Sequence, residues 1–243
     1  MRSDYPALRG NAASPGCAHC ILSLACLSTR HPVRTLLLIC LALMKITEYV
    51  PANPQGKGHV GLLLDWDYSR PRGTIVKTAS RLLADYFTSM LVLSATFKFK
   101  PVVGQQYHLY WMDTQWSLSL IAPSEWSEAR RNSYVGNCEL HPDMTWTMNP
   151  TANLVERESA MMALGNFHDS FVEKMSSDDP LERSLPVYVA KLPYYQRLFA
   201  SALTRSLKAS MKMGGQLSIK STHWLEQLPA RPLQLLDASV DDT

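Results

Sequence analysis

From Thr74 onward the apolar residues Ile75, Ala79, Leu82, Leu83, Tyr86, Phe87, Met90 and Leu91 recur at three- and four-residue steps. That spacing puts them on one face of an α-helix, and the Thr74 hydroxyl is suited to cap its first turn. Lys77, Arg81 and Asp85 keep to other positions, while Leu91-Val92-Leu93 loses the amphipathic pattern, so the far end should be buried. We read a helix over residues 74–95 whose role is packing.

After it the period changes. Trp116, Leu118 and Leu120 alternate with Ser117 and Ser119, as in a half-buried strand, and Tyr107 to Trp111 precedes them across Met112-Asp113-Thr114-Gln115. A β-hairpin follows. Pro123-Ser124-Glu125-Trp126 interrupts the strands, Tyr134 to Leu140 resumes them, and Thr145-Trp146-Thr147 adds a short edge. Residues 97–148 therefore predict a small aromatic-rich antiparallel meander. Beyond it, Asn149-Pro150 suits a helix entry, with Leu154, Met161, Leu164, Phe167, Phe171 and Met175 marking one face. A second helix should start near Pro193 and stop at Gly214-Gly215. The fold class is α+β: a long helix, the meander, then a helical hairpin over 150–213.

Within the central block, Tyr107-x-Leu109-Tyr110, Ser119-Leu120-Ile121-x-Pro123-x-Glu125-Trp126, Gly136, Leu140, Asp143 and Trp146-Thr147 form an ordered set. This pattern resembles an uncharacterised family, domain of unknown function 2452, over about residues 44–150 and, more loosely, over the helices that follow. The resemblance implies no activity, cofactor or site residue, and it places residues 1–43 outside the shared region.

Those first 43 residues differ from the rest. They hold Cys17, Cys20, Cys26 and Cys40, leaving only Cys138 beyond, and their four arginines against Asp4 account for the formal charge of +3. From Met44 onward 20 basic residues balance 20 acidic ones, so the body has no net field to draw it to nucleic acid. Cys17-Ala-His-Cys20 has the thiolate spacing of a zinc site but sits in a stretch without periodicity, and Arg34 to Leu43 imitates part of a signal peptide without a clear cleavage site. We expect a leader at 1–43 outside the folded unit, a domain over 44–228 and a flexible tail at 229–243. Apolar runs are too short to span a bilayer, and one thiol in the body fits a reducing, cytoplasmic setting.

Residues 53–73 are rich in Gly and Pro and read as a loop. Gly56-Lys57-Gly58 fails as a phosphate loop because His59 follows. Asp65 and Asp67 would share one side of an extended chain, where they read as a solvated edge. Acidic residues concentrate at 151–182 and basic ones at 183–225, so the two helices of the hairpin are expected to neutralise one another.

Few residues suggest chemistry. Glu125 and His108 are the candidates for acid-base work; Tyr107, Tyr110, Trp126 and Trp146 are the candidates for an aromatic binding surface. Glu139, His141 and Asp143, spaced by two, would point one way from an extended strand and are acceptable metal ligands. No spacing of a nucleophile elbow, a zinc helix or a dinucleotide loop occurs, and no cofactor is expected. The leading expectation is a non-catalytic module binding a protein or small ligand. The alternatives are an enzyme using Glu125, His108 or the Glu139-His141-Asp143 set, and a nucleic-acid or anionic-membrane binder using the basic helix 191–212.

Overall fold

The computed structural model describes residues 58–186, 192–229 and 231–236. The expected leader, its Cys17–Cys20 pair, the signal-like stretch 34–43 and Gly56-Lys57 lie outside the described residues. In chain order the elements are helices α1 (His59–Tyr68) and α2 (Ala79–Ser94), strands β1 (Gln106–Met112) and β2 (Gln115–Ser119), and the short helix α3 (Glu128–Arg131). Strands β3 (Tyr134–Leu140) and β4 (Trp146–Pro150) come next, then α4 (Glu158–Met175), α5 (Leu181–Ser184), α6 (Tyr194–Met213), α7 (Ser221–Leu225) and α8 (Pro232–Leu236). The α+β class stands.

Helix α2 begins four residues later than its apolar rhythm suggests. Thr78, not Thr74, is the cap: its backbone is extended and its hydroxyl accepts from the Arg81 N–H at 3.3 Å. Every residue from Leu82 to Leu93 is buried, charged and polar ones included. The helix is enclosed rather than amphipathic, with β4, α4, α6 and α8 packed around it. Phe87 meets Phe167 and Phe171 of α4 edge-on, each at 5.3 Å between ring centroids.

The four-stranded sheet is antiparallel at every pairing, in the order β2-β1-β3-β4. It is not a simple meander, because β3 pairs with β1 and leaves β2 at the edge. The hairpin β1–β2 turns on Asp113 and Thr114, both with positive φ (50° and 61°), the two-residue geometry whose twist matches that of the strands. Residues 120–133 then carry the chain from one side of β1 to the other. They run over Tyr110, whose hydroxyl donates to the Ile121 carbonyl at 2.9 Å and whose ring lies edge-on to Trp126 at 6.4 Å. Tyr107, Leu109, Trp116, Leu118, Cys138, Leu140, Trp146 and Met148 fill the opposite face and join the main core. Pro150 closes β4 rather than opening a helix; α4 starts at Glu158.

Of the expected helical hairpin, α4 and α6 both lie against α2. The acidic and basic segments meet at the residues that follow α4, while the α6 arginine Arg205 is held elsewhere. It donates to the Ser69 carbonyl and hydroxyl at 3.2 and 3.1 Å, with its guanidinium 5.4 Å from the Trp66 ring. Asp178 and Asp179 meet Lys220 and Arg183. Residues 59–68, read as loop, form α1, in which Asp65 is buried and bonded to Lys100 at 2.9 Å while Asp67 faces solvent beside Arg70. A helix separates residues two apart, so these carboxylates do not share a side. Pro232–Leu236, expected in a loose tail, forms α8, with Leu235 and Leu236 buried and the Leu235 carbonyl accepting from Thr88 of α2 at 3.0 Å.

Gly136 is fixed by close approach. A Cβ there would lie 2.5 Å from the Asn149 carbonyl oxygen and 2.9 Å from the Pro150 Cα, both backbone atoms of β4. Gly136→Ala should therefore destabilise the fold by about 1–3 kcal/mol, the usual cost of overpacking, as chemical denaturation would measure. A change within error would show that β4 yields freely.

Candidate functional site

Between the end of α1 and the start of α2, residues 70–78 form a strap that runs beside the β3–β4 turn. The backbone N–H of Arg72 donates to the Pro142 carbonyl at 2.9 Å, which fixes strap against turn. The turn itself closes through the His141 N–H to the Thr145 carbonyl and the Met144 N–H to the His141 carbonyl, each at 2.9 Å, with Met144 at φ 67°. Strap, turn and the first turns of α2 enclose a cleft of about 340 Å³, a volume suited to a small molecule.

Its floor is a cluster of four charges. The Lys77 ammonium lies 2.5 Å from Asp85 Oδ2 and 2.6 Å from Asp143 Oδ2, and Arg81 Nε lies 3.1 Å from Asp85 Oδ1. Asp143 Oδ1 accepts from the Thr145 N–H at 3.1 Å and the Thr145 hydroxyl at 2.6 Å. The side chains of Lys77, Asp85 and Asp143 are only 9%, 3% and 11% exposed. Charges so far from water persist only when paired and hydrogen-bonded, and here two cations balance two carboxylates.

The two acids are driven apart in proton affinity. Burial raises Asp85 above the ordinary aspartate value more than the charge and hydrogen bond of Lys77 and the charge of Arg81 lower it; the Asp143 charge adds to the rise. Burial pushes Asp143 the same way, but the charge and hydrogen bond of Lys77 together with both Thr145 donors outweigh it and leave its carboxyl below the ordinary value.

Of the residues proposed from sequence, His141 and Asp143 line this cleft. Glu139 does not join them. It faces solvent from β3, and the chain bends at His141, so the two-residue alternation that would align all three ends there. His141 Nε2 pairs with Thr147 Oγ1 at 2.7 Å, and Asp143 turns inward to Lys77. Among the described residues, no group of three His, Cys, Asp or Glu side chains is arranged to hold a metal ion.

His108 lies on the other face of the sheet, with Nδ1 2.8 Å from the Asn137 amide oxygen, which also accepts from the Tyr134 hydroxyl at 2.6 Å. Glu125 is exposed, and its carboxylate accepts from the Ala122 N–H at 3.1 Å, capping its own 3₁₀ turn. Tyr107, Tyr110 and Trp146 are packing residues with at most 1% exposure. Trp126 is half-buried, with the Arg130 guanidinium 4.3 Å from its ring. Along α6, Arg197 is buried and Arg205 is tied to Ser69, so Lys208 and Lys212 are the exposed cations among the described residues of that helix.

Lys77, Arg81 and Asp85 were legible only as the polar side of a helix. Their i, i+4 and i, i+8 spacing from Lys77 was the available signal, and it reads equally as a solvated stripe.

Residues 74–169 match the model of a family described as protein of unknown function (DUF2452). The match begins at Thr74 rather than near Met44 and continues beyond residue 150 into α4, so it takes in α2, the whole sheet and all four charges of the cleft floor. No curated protein and no solved structure matches the chain. No described helix is long and apolar enough to cross a membrane.

Lys77→Met should cost on the order of 3–5 kcal/mol in thermal or chemical unfolding, since it leaves two buried carboxylates facing one another. A cost below about 1 kcal/mol would mean that water reaches them.

The acid limb of stability should also carry the mark of Asp143. Its folded-state affinity for protons is below the unfolded one, so it contributes stability above the ordinary value of 3.8 that is lost as pH falls through its lower folded value. Asp85 has the opposite sign: its contribution is fully present below 3.8 and is lost as pH rises through its higher folded value. Asp143→Asn should flatten the stability curve below about pH 4. Asp85→Asn should remove the decline above that point. Urea titrations from pH 2.5 to 6 check both, and parallel curves for wild type and Asp143→Asn would refute the assignment.

Proposed function

We propose that this protein is a non-catalytic small-ligand-binding module and that its site is the cleft between the 70–78 strap and the β3–β4 turn. The observation that carries the reading is the cleft floor, in which Lys77, Asp85, Asp143 and Arg81 hold one another in fixed positions beneath an open space of ligand size. A floor so bound presents the same geometry with or without an occupant, which lowers the ordering cost of binding.

The same bonds argue against chemistry there. Lys77 donates to both Asp85 and Asp143, bonds that an attacking amine would have to give up. The hydroxyl of Thr145 is already donated to Asp143. Buried Cys138 is a free thiol whose proton affinity burial raises, so it is not a reactive thiolate; such a cysteine suits a reducing compartment, and we place the protein in the cytoplasm on that ground.

A fragment library screened by amide chemical shifts should yield compounds that perturb residues 72–77 and 141–145 together, with no turnover of the compounds that bind. A library of several hundred chemically varied fragments that leaves these amides unmoved would reject the reading, and conversion of a bound fragment to product would replace it with the catalytic one.

A further inference from the structure

We propose that the cleft takes a small organic carboxylate, its head held by Arg72 and the Lys77 ammonium and its aliphatic body laid on Ile75, Val76 and Pro142. The inference rests on the cleft being a ligand site and assigns the chemical class of the occupant.

The class follows from donors and acceptors. Each of the four carboxylate oxygens in the floor already has a donor: Asp85 Oδ1 from Arg81, Asp85 Oδ2 and Asp143 Oδ2 from Lys77, and Asp143 Oδ1 from Thr145 twice. A cation entering the cleft would meet two carboxylates whose charge Lys77 and Arg81 already offset. Donors, in contrast, are in surplus. An ammonium has three N–H groups, and two of those on Lys77 have acceptors among the described residues. Arg72 carries five N–H donors in a planar fork. Its guanidinium meets Asp67 at 3.9 Å, with both side chains more than half exposed, a pairing that a better-placed anion can replace.

Charge points the same way. Three cationic side chains line the cleft, those of Arg72, Lys77 and Arg81, against the single carboxylate of Asp143, with Asp85 beneath. Lys77 and Arg81 balance the two carboxylates, which leaves the exposed guanidinium of Arg72, loosely paired with Asp67, as the cation open to an anion at a concave surface. A planar carboxylate also matches the fork of an arginine better than a point acceptor does.

The body of the ligand is read from the wall. Ile75 and Val76 line the cleft and remain 60% and 56% exposed, two large aliphatic side chains left uncovered beside a charged floor. Pro142 adds a third apolar surface opposite the strap to which its carbonyl is bonded. A bare inorganic anion would satisfy Arg72 and leave that wall wet, whereas a short aliphatic chain attached to the anion would cover it.

The full chain titrated with sodium hexanoate, hexanamide and inorganic phosphate, followed by amide shifts and calorimetry, tests the assignment. Hexanoate should saturate shifts at residues 72–77 and 141–145 and bind at least about tenfold more tightly than either of the others, the loss expected for one charge-assisted contact or for the apolar body. Arg72→Gln, an exposed change that should leave the melting temperature unaltered, should weaken hexanoate by about tenfold. Glu139→Gln, outside the cleft, should not. Hexanamide binding as tightly as hexanoate overturns the carboxylate while leaving the cleft a ligand site, and phosphate binding as tightly overturns the organic body. Hexanoate affinity indifferent to Arg72→Gln, or no binding of hexanoate at all, overturns the proposal.

Discussion

The structure depends on the enclosure of α2. Twelve consecutive residues from Leu82 to Leu93 are buried, so the helix cannot present a polar face to water and every polar side chain on that stretch must find its partner inside. Each does so by reaching a different neighbour. Asp85 takes Lys77 from the strap, and Tyr86 donates to the Ser184 carbonyl of α5 at 2.8 Å while accepting from Lys174 of α4. Thr88 donates to the Leu235 carbonyl of α8, and Ser89 accepts from the Trp146 N–H of β4 at 2.9 Å. Burial supplies the driving force without direction. These four side chains supply the direction, since each bond is satisfied at one placement of its neighbour and broken at others.

The ion cluster is the costliest of these attachments and therefore the one whose geometry is most tightly held. A lysine and two aspartates lose their hydration on folding, and their mutual attraction offsets that loss only if the hydrogen bonds are complete. Completeness brings three segments distant in sequence together: the strap through Lys77, α2 through Arg81 and Asp85, and the β3–β4 turn through Asp143 and Thr145. The cleft is the space left where these segments meet. Its rigidity and its position thus have one cause.

Apolar period made α2, the hairpin β1–β2, the strand at Tyr134–Leu140 and the helix after Pro193 visible in the sequence, because in each the side chains that repeat are those that pack. Sheet order was not visible. Alternation fixes which face a residue takes but not which strand lies beside it, and the step of residues 120–133 over β1 rests on the tertiary fit of Ile121 and Trp126 to Tyr110. Asp85 was hidden for a related reason. A charged residue at helical spacing reads as solvated unless the whole cluster around it is known, and Asp143, which shares Lys77 with Asp85, lies 66 positions from that lysine in a turn that itself looked like a strand end. The aromatic residues misled in the other direction: Tyr107, Tyr110 and Trp146 drew attention as a surface because tryptophan and tyrosine often serve recognition, yet the same bulk makes them the natural filling of a small sheet.

The two faces of that sheet divide the labour. One carries Tyr107, Leu109, Cys138, Leu140, Trp146 and Met148 into the core, and the other carries His108, Asn137, Glu139 and Thr147, with the 120–133 crossover lying over Tyr110. Asp143 belongs to neither, because it comes after β3 has ended, on the turn that leads to β4. A residue there is free of the strand's alternation and can direct its carboxylate sideways to Lys77 of the strap. This explains why the chemistry gathers at the edge of the aromatic block and not within it. Strand positions are committed to one face or the other by packing, and only the turn has the conformational latitude to join a charge from the sheet to a charge from α2.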